Sequence, residues 1–159
     1  MPYAAGQRLD AADLNLADAR WTAALSQTIN ISAGGSGTAI PWASGSLEYN
    51  NGAGVTVSTS TLTLTKAGLW LIEFSVRYTS SGDAVTKIAY IQQVGGSVLA
   101  AQTEIHGATA TPDLYVGITK RFTANTQLQC FAFSSAASAI DTAAGQNQRT
   151  AVGAVLLRP

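Results

Sequence analysis

Apolar and polar residues alternate along much of the chain after residue 37. Between Trp70 and Tyr78 every second residue is large and apolar, whereas the intervening positions include Glu73, Ser75 and Arg77. This period of two is typical of a β-strand that buries one face. Runs of the same kind predict further strands at residues 61–65, 86–94, 98–104, 114–122, 127–134 and 150–157.

Short polar and glycine-rich segments separate these predicted strands. Turn signals occur at residues 50–52, 67–68 and 81–83. Gly95 and Gly96 join two strands directly, which is typical of a tight hairpin in which a glycine takes a positive φ. Regular short strands with frequent turns predict an all-β sandwich or barrel.

The first 27 residues follow a different pattern, for which we expect a short helix. Asp10 and Asp13 suit the positive end of a helix. A short helix is marginal unless it packs on something, so it docks on its own domain, bundles with copies of itself or docks into another protein. Residues 28–37 are rich in Gly and Ser and are predicted to be a linker. The apolar stripe of the helix is Leu14, Ala17, Trp21, Ala24 and Leu25.

Two predicted strands carry apolar residues on both faces. Phe131 and Phe133 lie opposite the face that holds Cys130, and Val155 and Leu157 form a second face on the last strand. A sandwich strand needs only one apolar face for its core. The second face therefore predicts burial against another subunit, with local cover by the chain itself as the alternative.

The charge content narrows the function classes. Hydrophobic residues make up 47% of the chain and charged residues only 11%, with nine Lys+Arg balanced by nine Asp+Glu. Ordinary domains carry roughly 25% charged residues. The balance argues against a charge-driven nucleic-acid binder and against a disordered chain. A surface without net charge tends to associate, which agrees with an assembly.

Targeting and redox signals point to a protein made in the cytoplasm. The single Cys130 cannot form an intramolecular disulfide, which fits a reducing compartment. No run approaches the roughly 18 apolar residues of a membrane span, so we expect no membrane insertion. Acidic residues interrupt the N-terminus, so we expect no signal peptide.

Candidate catalytic residues do not form a recognised motif. His106 is the only histidine and is expected in an exposed loop, while Cys130 is expected to be a buried, inert thiol. Neither can build a Cys/His zinc site. Glu48, Glu73 and Glu104 could supply paired carboxylates, but Glu73 falls on the polar face of its strand. We therefore predict a protein that is not an enzyme and holds no metal or cofactor.

Five segments follow the order and spacing of a known family. They are LEYNNGAGVTV (47–57), TKAGLWLIEFSVRY (65–78), IAYIQQVGGSVL (88–99), KRFTANTQLQCF (120–131) and VGAVLL (152–157). Together they resemble the C1q/TNF-like jelly-roll domain, over about residues 38–159. The resemblance implies an all-β jelly-roll sandwich that assembles as a homotrimer and buries the second apolar faces around a threefold axis.

The resemblance also suggests which residues meet at the trimer interface. Many members of the family bind calcium through clustered acidic loops, but Asp83, Asp113 and Asp141 are scattered singly here, so no calcium site is expected. The expected interface residues are Phe131, Phe133, Tyr90, Tyr115, Val155 and Leu157.

Residues 3–15 carry a second resemblance. The segment YAAGQRLDAADLN is similar to the opening of many tail and other virion proteins of bacteriophages and prophages. It implies an N-terminal anchor over residues 1–27 that binds other virion proteins, ahead of the linker at 28–37 and the jelly roll at 38–159. The anchor residues are Leu9, Leu14, Ala17, Trp21 and Leu25.

These observations predict a non-enzymatic virion protein, namely a trimeric tail fibre or tail-tip adhesin. Its distal loops, at 80–84, 106–112 and 134–149, would contact a host cell-surface glycan or protein. The alternative is a capsid decoration or head-fibre protein with a stabilising role, because the fold does not decide between the two. The candidate receptor residues are Ser81, Asp83, His106, Asp113, Asp141, Gln146 and Asn147.

Overall fold

The computed structural model describes residues 19–79, 85–106, 112–140 and 150–159. Within these ranges the chain forms thirteen strands and one short 3-10 turn at Trp42–Ser44. The strands are β1 (Arg20–Ala24), β2 (Ile29–Ile31), β3 (Thr38–Ala39), β4 (Ser46–Asn50), β5 (Val55–Ser58), β6 (Thr61–Leu64), β7 (Gly68–Arg77), β8 (Val85–Gln93), β9 (Val98–His106), β10 (Asp113–Phe122), β11 (Thr126–Ser134), β12 (Ser138–Ile140) and β13 (Ala151–Arg158).

Two antiparallel sheets pack into a β-sandwich, as the alternating pattern predicted. The five-stranded sheet has the order β10-β7-β13-β1-β4. The six-stranded sheet has the order β5-β6-β11-β8-β9, and β3 pairs with a further part of β11. β2 and β12 form a separate pair. No helix among the described residues is long and apolar enough to span a membrane.

The core lies between the two sheets and follows the alternation of the sequence. In β7 the side chains of Trp70, Ile72, Phe74 and Val76 are fully buried, while the intervening side chains are only partly covered. Trp42 from the 3-10 turn meets Phe74 edge to face, with ring centroids 5.9 Å apart. Aromatic pairs in this geometry add to the stability that burial provides.

The expected N-terminal helix is wrong for residues 20–24, which form strand β1. Trp21 pairs with Ala154 of β13 on one side and with Asn50 of β4 on the other. It is 3% exposed. Two neighbouring strands satisfy the backbone of β1, so a helix there would lose both ladders. Leu25 is also buried in the core, whereas Leu9, Leu14 and Ala17 lie outside the described residues.

The segment at 28–37 that we expected to be a linker takes part in the fold. Ile29 and Ile31 lie on strand β2, and Ile31 is buried in the core. Further on, the amide of Gly34 donates to the carbonyl of Ser134 at 3.0 Å. The two isoleucines alternate with Asn30 over only three residues, which is too short a pattern to predict a strand beside a Gly/Ser-rich run.

Different parts of the chain lie at the two ends of the sandwich. At one end, here called the loop end, the register places Arg77 opposite Asp113 and Val85 opposite His106. The strand ends that flank residues 80–84, 107–111 and 141–149 lie at this end. At the other end, here called the terminal end, the carbonyl of Ala19 accepts a hydrogen bond from Leu156, close to the C-terminus.

Candidate functional site

A buried lysine supports the loop end. Lys87 lies on β8 and is 1% exposed. Its Nζ donates to the carbonyl of Thr79 at 2.9 Å and to Oγ of Ser138 at 3.1 Å. Burial lowers the pKa of Lys87 below its usual range. Among the described residues no carboxylate lies within ion-pair distance of this ammonium group, so neutral oxygens and a ring solvate it.

Tyr78 provides that ring and also joins the two sheets. Nζ of Lys87 lies 4.7 Å from the centre of the Tyr78 ring, a cation–π contact. The Tyr78 hydroxyl donates to the carbonyl of Ile88 at 2.7 Å and accepts from the amide of Phe133 at 3.2 Å. Burial raises the pKa of Tyr78 above its usual range. One side chain thus connects the end of β7 to β8 and β11.

His106 is the last residue of β9 and not a loop residue, which corrects the sequence prediction. Its Nε2 lies 2.7 Å from Oε2 of Glu104, and its side chain is half-buried. Nε2 of Gln102 donates to Oε1 of the same carboxylate at 2.6 Å, and Oε1 of Gln102 accepts from the backbone amide of Tyr115 at 3.0 Å. These contacts connect β9 to the neighbouring edge strand β10. His106 belongs to the strand because it pairs with Val85 of β8.

Asp113 opens β10 at the same end and lies opposite Arg77. Burial raises the pKa of Asp113, and the nearby Arg77 charge partly opposes that rise. The loop end therefore gathers Asp113 and His106. The other candidate receptor residues, Ser81, Asp83, Asp141, Gln146 and Asn147, lie outside the described residues.

The six expected trimer-interface residues lie on opposite sides of the sandwich. The strand register places one group on the outer face of the five-stranded sheet and the other on the outer face of the six-stranded sheet. They cannot form one continuous patch, because the core separates the two faces. The first group is Tyr115, Val155 and Leu157, and the second is Tyr90, Phe131 and Phe133.

The outer face of the five-stranded sheet carries a partly exposed apolar strip. Val155 lies opposite Leu71, while Leu157 is 38% exposed and Tyr115 is 55% exposed. The Tyr115 hydroxyl donates a hydrogen bond to the carboxylate of Glu73. This bond, with smaller contributions from burial and the Glu73 charge, raises the pKa of Tyr115 to about 12.

The outer face of the six-stranded sheet is partly covered by the chain itself. Tyr90 stacks on Phe131 with ring centroids 4.8 Å apart and the ring planes 4° from parallel. The Tyr90 hydroxyl donates to the carbonyl of Ser36. Burial raises the pKa of Tyr90. For Tyr90, the local cover considered from the sequence is therefore present.

Cys130 has no accessible thiol. It faces the core and is fully buried, which raises the pKa of its thiol to about 12. A thiol in that state is neither nucleophilic nor available to a metal. Within the described ranges, no three His, Cys, Asp or Glu side chains are placed to share a metal ion.

The sequence contained a signal for the buried lysine that we did not use. In β8 Lys87 alternates with outward residues and shares its face with Val85, Ala89 and Ile91. A strict period of two therefore places Lys87 in the core, where an unpaired charge is costly. The role of Tyr78 was hidden, because its partners on β8 and β11 are distant in sequence.

Comparison with known proteins supports the fold alone. No protein-family model matches the chain, and no curated protein matches it. Among solved structures, Eiger TNF from S. frugiperda superposes with a TM-score of 0.61 at 13% identity, covering 87% of this chain and 91% of that one. Murine APRIL at pH 5.0 gives a TM-score of 0.66 at 11% identity, with 87% and 98% coverage. Murine APRIL at pH 8.5 gives 0.61 at 13% identity, with the same coverage. The chain is an all-β sandwich with a TNF-like jelly-roll fold.

Proposed function

We propose that the protein is a homotrimeric virion component, a tail fibre or tail-tip adhesin that is anchored by its N-terminal segment. One observation carries the proposal. Ala19 lies at the terminal end, beside Leu156, whereas the strand ends that flank the three candidate receptor loops lie at the loop end. A protein that is held by one end and binds with the other requires this polarity.

The length of the sandwich separates the proposed anchor from the proposed binding loops. Strand β7 runs from the terminal end to the loop end over ten residues, which corresponds to about 30 Å at roughly 3.3 Å per residue. Ala19, the first described residue, therefore lies at the opposite end of the sandwich from Arg77 and Asp113. Residues 3–15 resemble the N-terminal segments of virion proteins, and the anchor would therefore attach to a phage particle.

The loop end has a rigid base, which suits a binding surface built from loops. Tyr78 connects the two sheets there, and Lys87 on β8 binds both Thr79 and Ser138. Binding groups held by a rigid scaffold lose less conformational entropy when a ligand binds. The supported loops can differ in sequence without disturbing the core.

The outer face of the five-stranded sheet is the better surface for the trimer. Its strip of Leu71, Val155 and Leu157 ranges from half-buried to exposed, and interface centres are apolar. On the opposite face, by contrast, Ser36 already binds the Tyr90 hydroxyl. The homotrimer that the family resemblance implies would therefore form through Tyr115, Val155 and Leu157, with Phe131 and Phe133 outside the interface.

Adsorption competition tests the binding role. Purified full-length protein should have about three times the 16.4 kDa mass of the chain in light scattering. Added to host cells before the particle, it should reduce adsorption in proportion to its concentration. A variant with Gln146→Ala and Asn147→Ala in the longest loop should compete less well at unchanged mass. If the trimer does not compete at any concentration, the adhesin role is wrong.

A further inference from the structure

The outer face of the six-stranded sheet carries no charged side chain. On strands β5, β6, β8, β9 and β11, each outward position holds Thr, Ser, Gln, Ala or a larger apolar residue. The chain does have charges to place, because the outer face of the other sheet holds Arg20, Glu73, Arg77, Asp113 and Arg121. The neutrality is therefore specific to one face, which we call the neutral face.

Three rows cross the centre of the neutral face. The β8–β11 register pairs Gln92 with Gln129, then Tyr90 with Phe131, then Ile88 with Phe133. Alternate residues of a strand are roughly 6.6 Å apart, so the three rows span about 13 Å. An amide row thus lies beside a stacked aromatic row and an apolar row. Gln127 and the threonines of β5, β6 and β9 surround them.

The amide row is fixed in place by the protein. Nε2 of Gln129 lies 3.2 Å from Oγ of Ser60 and 3.3 Å from Oγ1 of Thr61. Nε2 of Gln92 donates to the carbonyl of Gly96 at 3.0 Å. Because each Nε2 group is hydrogen-bonded within the protein, the amide oxygens are held in a fixed orientation. Groups fixed in this way bind a ligand at a lower entropic cost than free side chains do.

These groups favour one kind of ligand. An apolar protein surface would bury the amides and hydroxyls without partners, which costs about 1–3 kcal/mol for each unpaired group. A charged ligand would lose its hydration and find no opposite charge. A neutral glycan avoids both costs. It carries no charge, its hydroxyls donate and accept hydrogen bonds, and its C–H faces pack on aromatic and apolar side chains.

We propose that the neutral face, centred on Gln92, Gln129 and the Tyr90–Phe131 pair, binds a neutral hexose glycan. This site is separate from the loops at the loop end and does not require that the protein be part of a virion. It also lies on the opposite side of the sandwich from the surface proposed for the trimer, so assembly would leave the face covered only where Ser36 contacts Tyr90.

Affinity electrophoresis of the full chain tests the proposal. Native gels would contain dextran, laminarin, mannan or galactan as neutral probes, and polygalacturonate as the anionic probe. The proposal predicts that at least one neutral polymer slows the protein and that polygalacturonate does not. No slowing in any of the four neutral gels would overturn it, whatever the adsorption assay shows.

Matched variants locate the site. Gln129→Glu and Gln92→Glu each add one charge with almost no change in shape, and each should weaken binding about tenfold, because the new carboxylate loses hydration when the neutral glycan covers it. Asn51→Asp makes the same chemical change at an exposed turn away from the face and should leave binding unchanged. Equal losses in all three variants, or none in the glutamine variants, would overturn the assignment. So would a change of assembly mass in the glutamine variants, because a second copy would then occupy the face.

Discussion

Lys87 on β8 and Tyr78 at the end of β7 form a buried cation–π pair, with Nζ 4.7 Å from the ring centre. The pair lies at the loop end of the sandwich. The Tyr78 ring takes the place of the carboxylate that usually pairs with a buried lysine. The loop end therefore depends on side chains that are hidden from any ligand.

Removal of the lysine should destabilise the whole domain. Lys87→Ala leaves the carbonyl of Thr79 and the hydroxyl of Ser138 without this donor and creates a cavity. We expect a loss of about 2–4 kcal/mol in the free energy of unfolding, measured by urea denaturation. Lys120→Ala, at an exposed site, is the control and should change it by less than about 0.5 kcal/mol. Equal effects of the two variants would contradict the structural role of Lys87.

Alkaline pH should weaken the fold, with Cys130 contributing one proton to the effect. Its folded pKa is about 12, whereas an exposed thiol titrates near roughly 8.5. Between these values the unfolded chain releases the proton and the folded chain keeps it, so stability falls as pH rises. The contribution is about 1.4 kcal/mol per pH unit for one proton.

The test of this contribution compares two pH profiles. Urea denaturation at pH 8, 9, 10 and 11 should show a shallower decline for Cys130→Ala than for the original chain. Both proteins should still decline above about pH 10, because Tyr78 and Tyr115 have raised pKa values as well. Lys87 has a lowered pKa and opposes the decline, since its unfolded form holds a proton longer than its folded form. Identical profiles would contradict the burial of the thiol.

The start of β7 should not tolerate a side chain. A Cβ added to Gly68 would lie 2.3 Å from the carbonyl oxygen of Arg158. Gly68→Ala should therefore cost about 1–3 kcal/mol, the usual range for overpacking, as measured by thermal or urea unfolding. In the β8–β9 hairpin, Gly96 has room for a Cβ, with its nearest neighbour at 3.5 Å. Gly96→Ala should be nearly neutral, and a larger cost there than at Gly68 would contradict the close approach of the C-terminal strand.

Two matched substitutions decide which face forms the trimer. Leu71 and Phe133 are both half-buried apolar residues that face outward, on opposite sheets. Leu71→Asp should dissociate the trimer, because it places a charge in an apolar interface, whereas Phe133→Asp should leave the assembly mass unchanged. Light scattering measures both. The reverse result would move the interface to the six-stranded sheet, and a monomeric original chain would contradict the trimer altogether.

Alternation in the sequence predicted the long strands well but failed at the short ones. β7, β8, β10 and β11 each have nine or ten residues, enough for a period of two to stand out. β1 has five residues, and its Trp21 and Ala24 also fit a helical stripe. Only the pairing with β13 and β4, distant in sequence, decides in favour of a strand.

The sequence indicated which residues would form the candidate surfaces but not where in the fold they lie. The alternation assigned Phe131 to a second apolar face, and the resemblance added Tyr115 as an interface residue; both lie on outer faces of the sandwich. The sequence could not place them on opposite sheets, because sheet membership depends on which strands pair. The neutral face was hidden for the same reason, since five strands from separate parts of the chain contribute to it.

Immunogold electron microscopy tests the central claim most directly. Antibody against the jelly roll would be applied to intact particles whose genome encodes this chain. Our proposal predicts gold at the tail, because the N-terminal segment anchors the trimer there and leaves the loop end exposed. Gold confined to the head would instead indicate a decoration protein. Particles that carry no gold, with an antibody that recognises the purified protein, would contradict a place in the virion.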